Sequence, residues 1–231
     1  MTGRNVGNNQ SEPSSSQIAR KRLQGMRGRG FIESTLHAIS VRLGLKYGGS
    51  FFYPSEDRGI LECLIIPYYQ LSGEHNVLWF VGIDWYTQGY SRMFSRKTFT
   101  TLDVNPAQSR YGAQRHFVDT ALNLDRYAPV NSIDVIFFNG IIGWGLNSHE
   151  EAEKAFDVCH RCLRPGGHLL IGWNDLPEHR PFRLQEIEAL SKFERWTFPP
   201  LETSEHLVSN EWRHVFSFFR KPPVPRVGDT P

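Results

Sequence analysis

The chain has little of what marks secreted, membrane-spanning or metal-dependent proteins. Its 231 residues include three cysteines, Cys63, Cys159 and Cys162. Three are too few for a disulfide framework, and the odd number points to reduced thiols and a cytoplasmic location. No apolar run reaches the roughly 18 residues a membrane span needs. The first residues hold no apolar core of secretory-signal length. Cys159 and Cys162 stand three apart with no second Cys/His pair at ligand spacing, so no metal is expected and they read as one buried helix face. A Gly-x-Ser-x-Gly elbow, a Walker phosphate loop and a Gly-x-Gly-x-x-Gly turn are all absent. Those gaps count against serine hydrolases, P-loop enzymes and nicotinamide-dependent oxidoreductases.

What is present fits one α/β domain with extensions. Apolar residues make up 39% of the chain, compatible with a single packed core. The net charge of +2 is unevenly spread. Residues 1–30 carry six basic side chains against one acid, Glu12, for +5, which leaves −3 on the rest. Gly, Ser, Asn and Pro dominate the start, so residues 1–28 read as a disordered basic arm. Residues 29–74 read as a helical cap, with apolar positions at helical spacing over Phe31–Leu45 and Glu56–Gln70, and Pro67 as a late kink or stop. Residues 75–221 form the α/β domain, and 222–231, with Pro222, Pro223 and Pro225, a flexible tail.

Within the domain, Val77–Val81 is apolar throughout, as a central parallel strand is. Strands follow at Phe99–Leu102, His116–Val118, Ile133–Phe138 and Leu169–Trp173. A helix is expected near Leu184–Leu190, then an antiparallel pair at Phe193–Phe198 and His214–Phe219. The most informative stretch is Leu163-Arg-Pro-Gly-Gly-His-Leu-Leu-Ile-Gly172. A helix over about His149–Leu163 stops at the Pro-Gly-Gly turn, and an apolar strand begins at His168. With Asp134-Val-Ile-Phe-Phe138 upstream, this is a βαβ unit and implies a parallel sheet buried on both faces.

In this form, Asp-Val-Ile-Phe-Phe, a helix, then Leu-Arg-Pro-Gly-Gly-His-Leu-Leu-Ile, the chain resembles the fourth and fifth strands of class I S-adenosylmethionine-dependent methyltransferases. The resemblance runs from about residue 75 to 220. It implies a three-layer, Rossmann-like α/β sandwich with a seven-stranded sheet in the order 3-2-1-4-5-7-6, strand 7 antiparallel. It also implies S-adenosylmethionine as cofactor. In the family the first turn is Gly-x-Gly-x-Gly with an acid two residues before it; here it is Gly82-Ile-Asp-Trp-Tyr-Thr87, and the acid's place holds Phe80. Trp85 and Tyr86 therefore either pack on the ligand or fill the core.

Open α/β sheets bind ligands beyond the carboxyl ends of their strands, at the switch point. Candidates there are Gly82 and Tyr86 for the methionine part and Asp103 for both ribose hydroxyls. The resemblance places Asp119 at the adenine amine, and the three glycines of the Asn139-Gly140-Ile-Ile-Gly-Trp-Gly145 loop at the switch point indicate backbone lying close to the ligand. The nearby Trp144 is a candidate pocket wall or loop anchor. Asp103 also reads as an N-cap before Asn105-Pro106. On the acceptor side, Asp175 and His149 are the candidate catalytic groups. The expected function is in-line methyl transfer from S-adenosylmethionine to a small-molecule acceptor, without stable nucleic-acid binding and without a membrane span. The alternative is a binding or scaffold protein of the same fold that has lost catalysis.

Overall fold

Residues Val77–Val81 form β1, and four of the five are buried because strands flank them and further layers cover both faces. In the computed structural model, which describes residues 55–224, seven more strands complete the sheet. They are β2 (Thr98–Asp103), β3 (Arg115–Val118), β4 (Ile133–Asn139), β5 (Leu163–Asn174), β6 (Glu194–Arg195), β7 (Glu205–Leu207) and β8 (His214–Arg220). The order is β3-β2-β1-β4-β5-β8-β6, with β7 also paired to β8. Strands β1 to β5 are parallel, and β8 runs antiparallel to β5. This is the expected order; β6 and β7 share the last position, end to end along β8. The basic arm, the Phe31–Leu45 helix and residues 225–231 of the tail lie outside the described residues.

Alternation along the strands feeds two apolar layers. Leu78, Phe80, Val135, Phe137 and Leu170 face one layer; Trp79, Val81, Ile136, Phe138 and Ile171 face the other. Every residue of β4 is buried, which is why its sequence shows no polar alternation. Each fully buried aromatic or aliphatic side chain contributes about 1.5–3 kcal/mol. The first layer is closed by α1 (Glu56–Ile60), a π-helical turn (Leu61–Ile65) and α2 (Ile66–Leu71). Pro67 does not stop this helix. The π turn bonds the Ile66 N–H to the Leu61 carbonyl, and Pro67 sits in the first turn of α2, where its missing donor is harmless.

The second layer rests on α4 (His149–Cys162), which follows the four-residue α3 (Tyr90–Met93) in chain order. Ser148 caps α4 by accepting from the Glu151 N–H at 3.1 Å, and acids in its first turn and bases in its last oppose the helix dipole. Ala152, Ala155, Phe156 and Cys159 give it a buried stripe, on which Phe156 meets Phe138 at 4.9 Å. Cys159 and Cys162 are both fully buried in that face.

Three expectations about elements need correction. The Pro165-Gly166-Gly167 segment is not a turn outside the sheet. Leu163 already pairs with Ile133, the register breaks, and pairing resumes at Val135 with His168, so β5 starts five residues early and bulges at the glycines. The Leu184–Leu190 stretch forms two 3-10 turns, Leu184–Glu186 and Glu188–Lys192, rather than a helix. The Glu153 carboxylate of α4 accepts the Glu188 and Ala189 N–H groups at 2.6 and 2.7 Å, a tertiary cap that replaces helical continuation. The links from β2 to β3 and from β3 to β4, where the α/β sandwich implies helices, are six-residue 3-10 segments, Pro106–Tyr111 and Ala121–Arg126.

At the other end of the sheet, His168 is buried and its Nδ1 lies 3.1 Å from the Tyr69 hydroxyl, with its ring stacked 3.9 Å from Trp196. Burial, then neighbouring His75, Arg220 and Arg164, pushes its pKa down from 6.5 to about 3. The neutral ring belongs to the fold, while the unfolded chain protonates near 6.5. Stability is therefore complete above pH 6.5 and falls as pH drops from there toward 3. The loss is expected to be on the order of 2 kcal/mol by about pH 4.5. Urea unfolding at pH 7.5 and 4.5 checks it: His168→Gln should flatten the profile, and an unchanged slope in the variant contradicts the assignment.

Candidate functional site

The switch point lies between β1 and β4, and three close contacts build it. Gly82 follows β1 at φ +86°, a conformation that glycine adopts without strain. A Cβ there would stand 2.5 Å from the Asn139 carbonyl oxygen and 2.6 Å from Ile141 Cγ2. The Asn139 side chain in turn lies across Gly172 of β5, where a Cβ would fall 1.7 Å from its Oδ1. The Gly82 N–H donates to the Leu102 carbonyl at 3.0 Å, and the Gly140 N–H to the Gly172 carbonyl at 2.9 Å. The ends of β1, β2, β4 and β5 are thereby fixed together under one cleft of about 590 Å³.

Gly82, Tyr86, Asp103, Asn139 and Gly140 all line this cleft. The Asp103 carboxylate is held from two sides: the Ile83 N–H donates to Oδ2 at 2.9 Å and the Asn105 N–H to Oδ1 at 2.8 Å. Each oxygen keeps a second acceptor site. The Asn105 bond belongs to the turn role anticipated for Asp103, but it is Asn105 whose side chain caps the following 3-10 turn. Asn139 is buried, and among the described residues its Oδ1 has no hydrogen-bond partner. Gly140, at φ +70°, faces open space where its Cβ would be.

The turn after Gly82 takes its own path. Asp84 caps a 3-10 turn, Trp85–Thr87, accepting the Trp85 N–H at 2.7 Å, with Thr87 closing a capping box. Trp85 and Tyr86 line the cleft and leave it open, whereas Tyr90 is core. Phe80, in the acid's place, is fully buried and stacks on Phe137 at 5.6 Å. The guanidinium of Arg58, buried in α1, covers the Tyr86 ring at 3.9 Å and donates to the Tyr90 hydroxyl at 2.9 Å. That hydroxyl donates onward to Glu62 at 2.8 Å, and burial pushes the Glu62 carboxyl up to about 7.

Three of the anticipated residues are not brought to the cleft. Asp119 accepts from the Tyr127 hydroxyl at 2.7 Å, from Asn123 Nδ2 at 2.9 Å and from the Thr120 N–H at 2.7 Å. Those bonds, Asn123 first, hold its carboxyl below the usual range, and its neighbours Thr120 and Ala121 reach the cleft instead. Asp175 forms ion pairs with Arg180 and Arg213 and lines a separate cavity. His149 opens α4 on the surface, with Nε2 3.1 Å from the Glu186 carbonyl.

Sequence reading missed Arg58 and His214, both in the cleft wall, while Asn174, at the end of β5, lies there as its strand-end position implies. Arg58 did carry a signal, a cation at helical spacing from Leu61 and Ile65 on an apolar face. His214 carried none: it opens an apolar strand like many structural polar residues. Its Nδ1 lies 2.7 Å from Asn174 Oδ1, and burial pushes it down to about 4, so the ring is neutral at pH 7. With the amide oxygen accepting from Nδ1–H, Nε2 is left as an acceptor.

Residues 81–171 match the methyltransferase domain family. Over 119 residues the chain is 30% identical to the ubiquinone/menaquinone biosynthesis C-methyltransferase UbiE of Pseudoalteromonas translucida (strain TAC 125). That match takes in 47% of this chain and spans 43% of the relative's length. Among solved structures, the N-methyltransferase NodS of Bradyrhizobium japonicum WM9, in complex with S-adenosyl-L-homocysteine, superposes with a TM-score of 0.52 at 16% identity. The superposition covers 73% of this chain and 94% of that one. A SAM-dependent methyltransferase from Methanosarcina mazei gives 0.51 at 14% identity, covering 70% and 98%. At those identities the likeness is one of fold.

The contacts at Gly82 make a direct prediction. Gly82→Ala combines positive-φ strain with a backbone clash and should cost about 2–3 kcal/mol in urea unfolding. A change under about 0.5 kcal/mol contradicts the close approach of β1 and β4.

Proposed function

We propose that this chain, whose residues 81–171 match the methyltransferase domain family, is a class I S-adenosylmethionine-dependent methyltransferase that transfers a methyl group from S-adenosylmethionine to a small-molecule acceptor. The observation that carries the reading is Asp103, a carboxylate clamped by two backbone N–H groups at the mouth of the Gly82 turn, with acceptor capacity left on both oxygens. That arrangement suits a vicinal diol such as a ribose.

The rest of the cleft fits the same ligand. Asn139 brings polar groups to the cleft wall, and the open backbone at Gly140 admits close approach of the ligand. The buried Arg58 guanidinium, carried on Tyr86 and Tyr90, offers a positive charge for a carboxylate. Thr120 and Ala121 stand where the adenine would lie; Asp119 orders that loop through Tyr127 and Asn123. When bound, S-adenosylmethionine supplies an electrophilic methyl on a sulfonium. The chain's contribution is then to hold donor and acceptor in line and to exclude water. With Asp175 and His149 outside the cleft, the acceptor-side group is His214, a neutral imidazole whose Nε2 can orient a hydroxyl or amine.

Calorimetry with S-adenosyl-L-homocysteine tests the reading. Binding to the wild type is expected, and Asp103→Asn should weaken it roughly ten- to a hundredfold, since hydrogen bonds to a charged group are worth about 1.5–3 kcal/mol. An absence of binding at millimolar ligand would favour the alternative, a catalytically inactive protein of the same fold.

A further inference from the structure

We propose that Trp144, His179 and Trp212 form the acceptor subsite and that it takes a planar aromatic small molecule. The proposal rests on the donor reading of the Gly82–Asp103 cleft and adds the substrate class. Trp144 and Trp212 line that cleft, yet they are 58% and 37% exposed, so their rings meet solvent at its mouth. Single exposed apolar residues need no explanation. These two come from loops far apart in sequence and are joined by a third ring. Trp144 stacks on His179 at 4.4 Å and 19° between planes, and His179 meets Trp212 at 6.0 Å and 36°.

The row is built to stay in place. The loop after β4 approaches the loop after β5 so closely that a Cβ on Gly143, at φ +81°, would stand 2.2 Å from the His179 carbonyl oxygen. Asp175 ties the other two segments together. It accepts from Arg180, next to His179, and from Arg213, next to Trp212, at 2.9 Å for the latter. Its own N–H donates to the Arg213 carbonyl at 3.0 Å. Asp175 is thus a positioning residue for the aromatic row.

Ring geometry decides the ligand class. An aromatic box for a cation surrounds it with ring faces from several directions. Here successive planes are inclined by only 19° and 36°, so the row offers the flat end of a stack rather than the walls of a box. Both nearby guanidinium groups are paired with Asp175. A planar ring extends such a stack with offset geometry, a gain a puckered aliphatic ring of the same size does not obtain.

Matched probes test this on the full chain. Calorimetry at saturating S-adenosyl-L-homocysteine compares 2-naphthol with decahydro-2-naphthol. The planar probe should bind at least tenfold more tightly. Trp144→Leu should abolish the preference, Trp144→Phe should retain part of it, and Asp175→Ala should reduce it, with an unchanged urea-unfolding midpoint for the two Trp144 variants reporting that they are folded. Equal affinities in the wild type, no binding of either probe, or a preference that survives Trp144→Leu would overturn the proposal. If S-adenosyl-L-homocysteine itself does not bind, the donor reading fails, and the two-probe comparison without it still decides the aromatic row.

Discussion

The cleft depends on how tightly four strand ends are drawn together around Asn139. Its carbonyl oxygen occupies the space a side chain at position 82 would need, and its amide fills the space a side chain at 172 would need. Two glycines at the ends of β1 and β5 thus let β4 carry a buried polar residue into the switch point. Burying an amide oxygen without a partner costs on the order of 1–3 kcal/mol, and the fold sustains that cost at the switch point.

The aromatic turn after Gly82 changes what holds the far end of the cleft. A Gly-x-Gly-x-Gly turn offers bare backbone; here Trp85 and Tyr86 stand on an Asp84-capped turn instead. Tyr86 then serves as a platform for Arg58, delivered by the helix before the sheet. The Arg58–Tyr90–Glu62 chain links that cation to a carboxyl whose burial lifts it to about 7, so the charge around Arg58 is sensitive to pH near neutrality. A polar relay between α1, the π turn and α3 thus stands beside the aromatic turn at the cleft wall.

Much of the architecture was legible because buried parallel strands have a simple signature. Val77–Val81 and Ile133–Phe138 are continuous apolar runs, and the structure buries nearly all of both. Boundaries failed where tertiary contacts override local signals. Pro165-Gly166-Gly167 reads as a turn, but pairing of Leu163 with Ile133 draws it into β5 as a bulge. The Leu184–Leu190 periodicity reads as a helix, but Glu153 takes up its backbone donors. Within the site, residues at strand ends were accessible to sequence reasoning, because strand position alone brings Gly82, Asp103 and Asn139 together. Asp119 and Asp175 sit at equally suitable strand ends, yet Tyr127 and two arginines draw their carboxylates into other contacts, a competition that a one-dimensional pattern does not reveal. The Trp144–His179–Trp212 row joins three loops, and nothing in any one of them announces the others.

The central claim is geometric: an adenosine lies in the cleft with its ribose on Asp103. A crystal structure of the full chain grown with millimolar S-adenosyl-L-homocysteine tests it most directly. The account predicts both ribose hydroxyls within hydrogen-bond distance of the Asp103 carboxylate and the amino-acid end between Asn139 and Arg58. Density for the ligand elsewhere, or a cleft closed by Trp85 and Tyr86 with Asp103 bound only to Ile83 and Asn105, would contradict it.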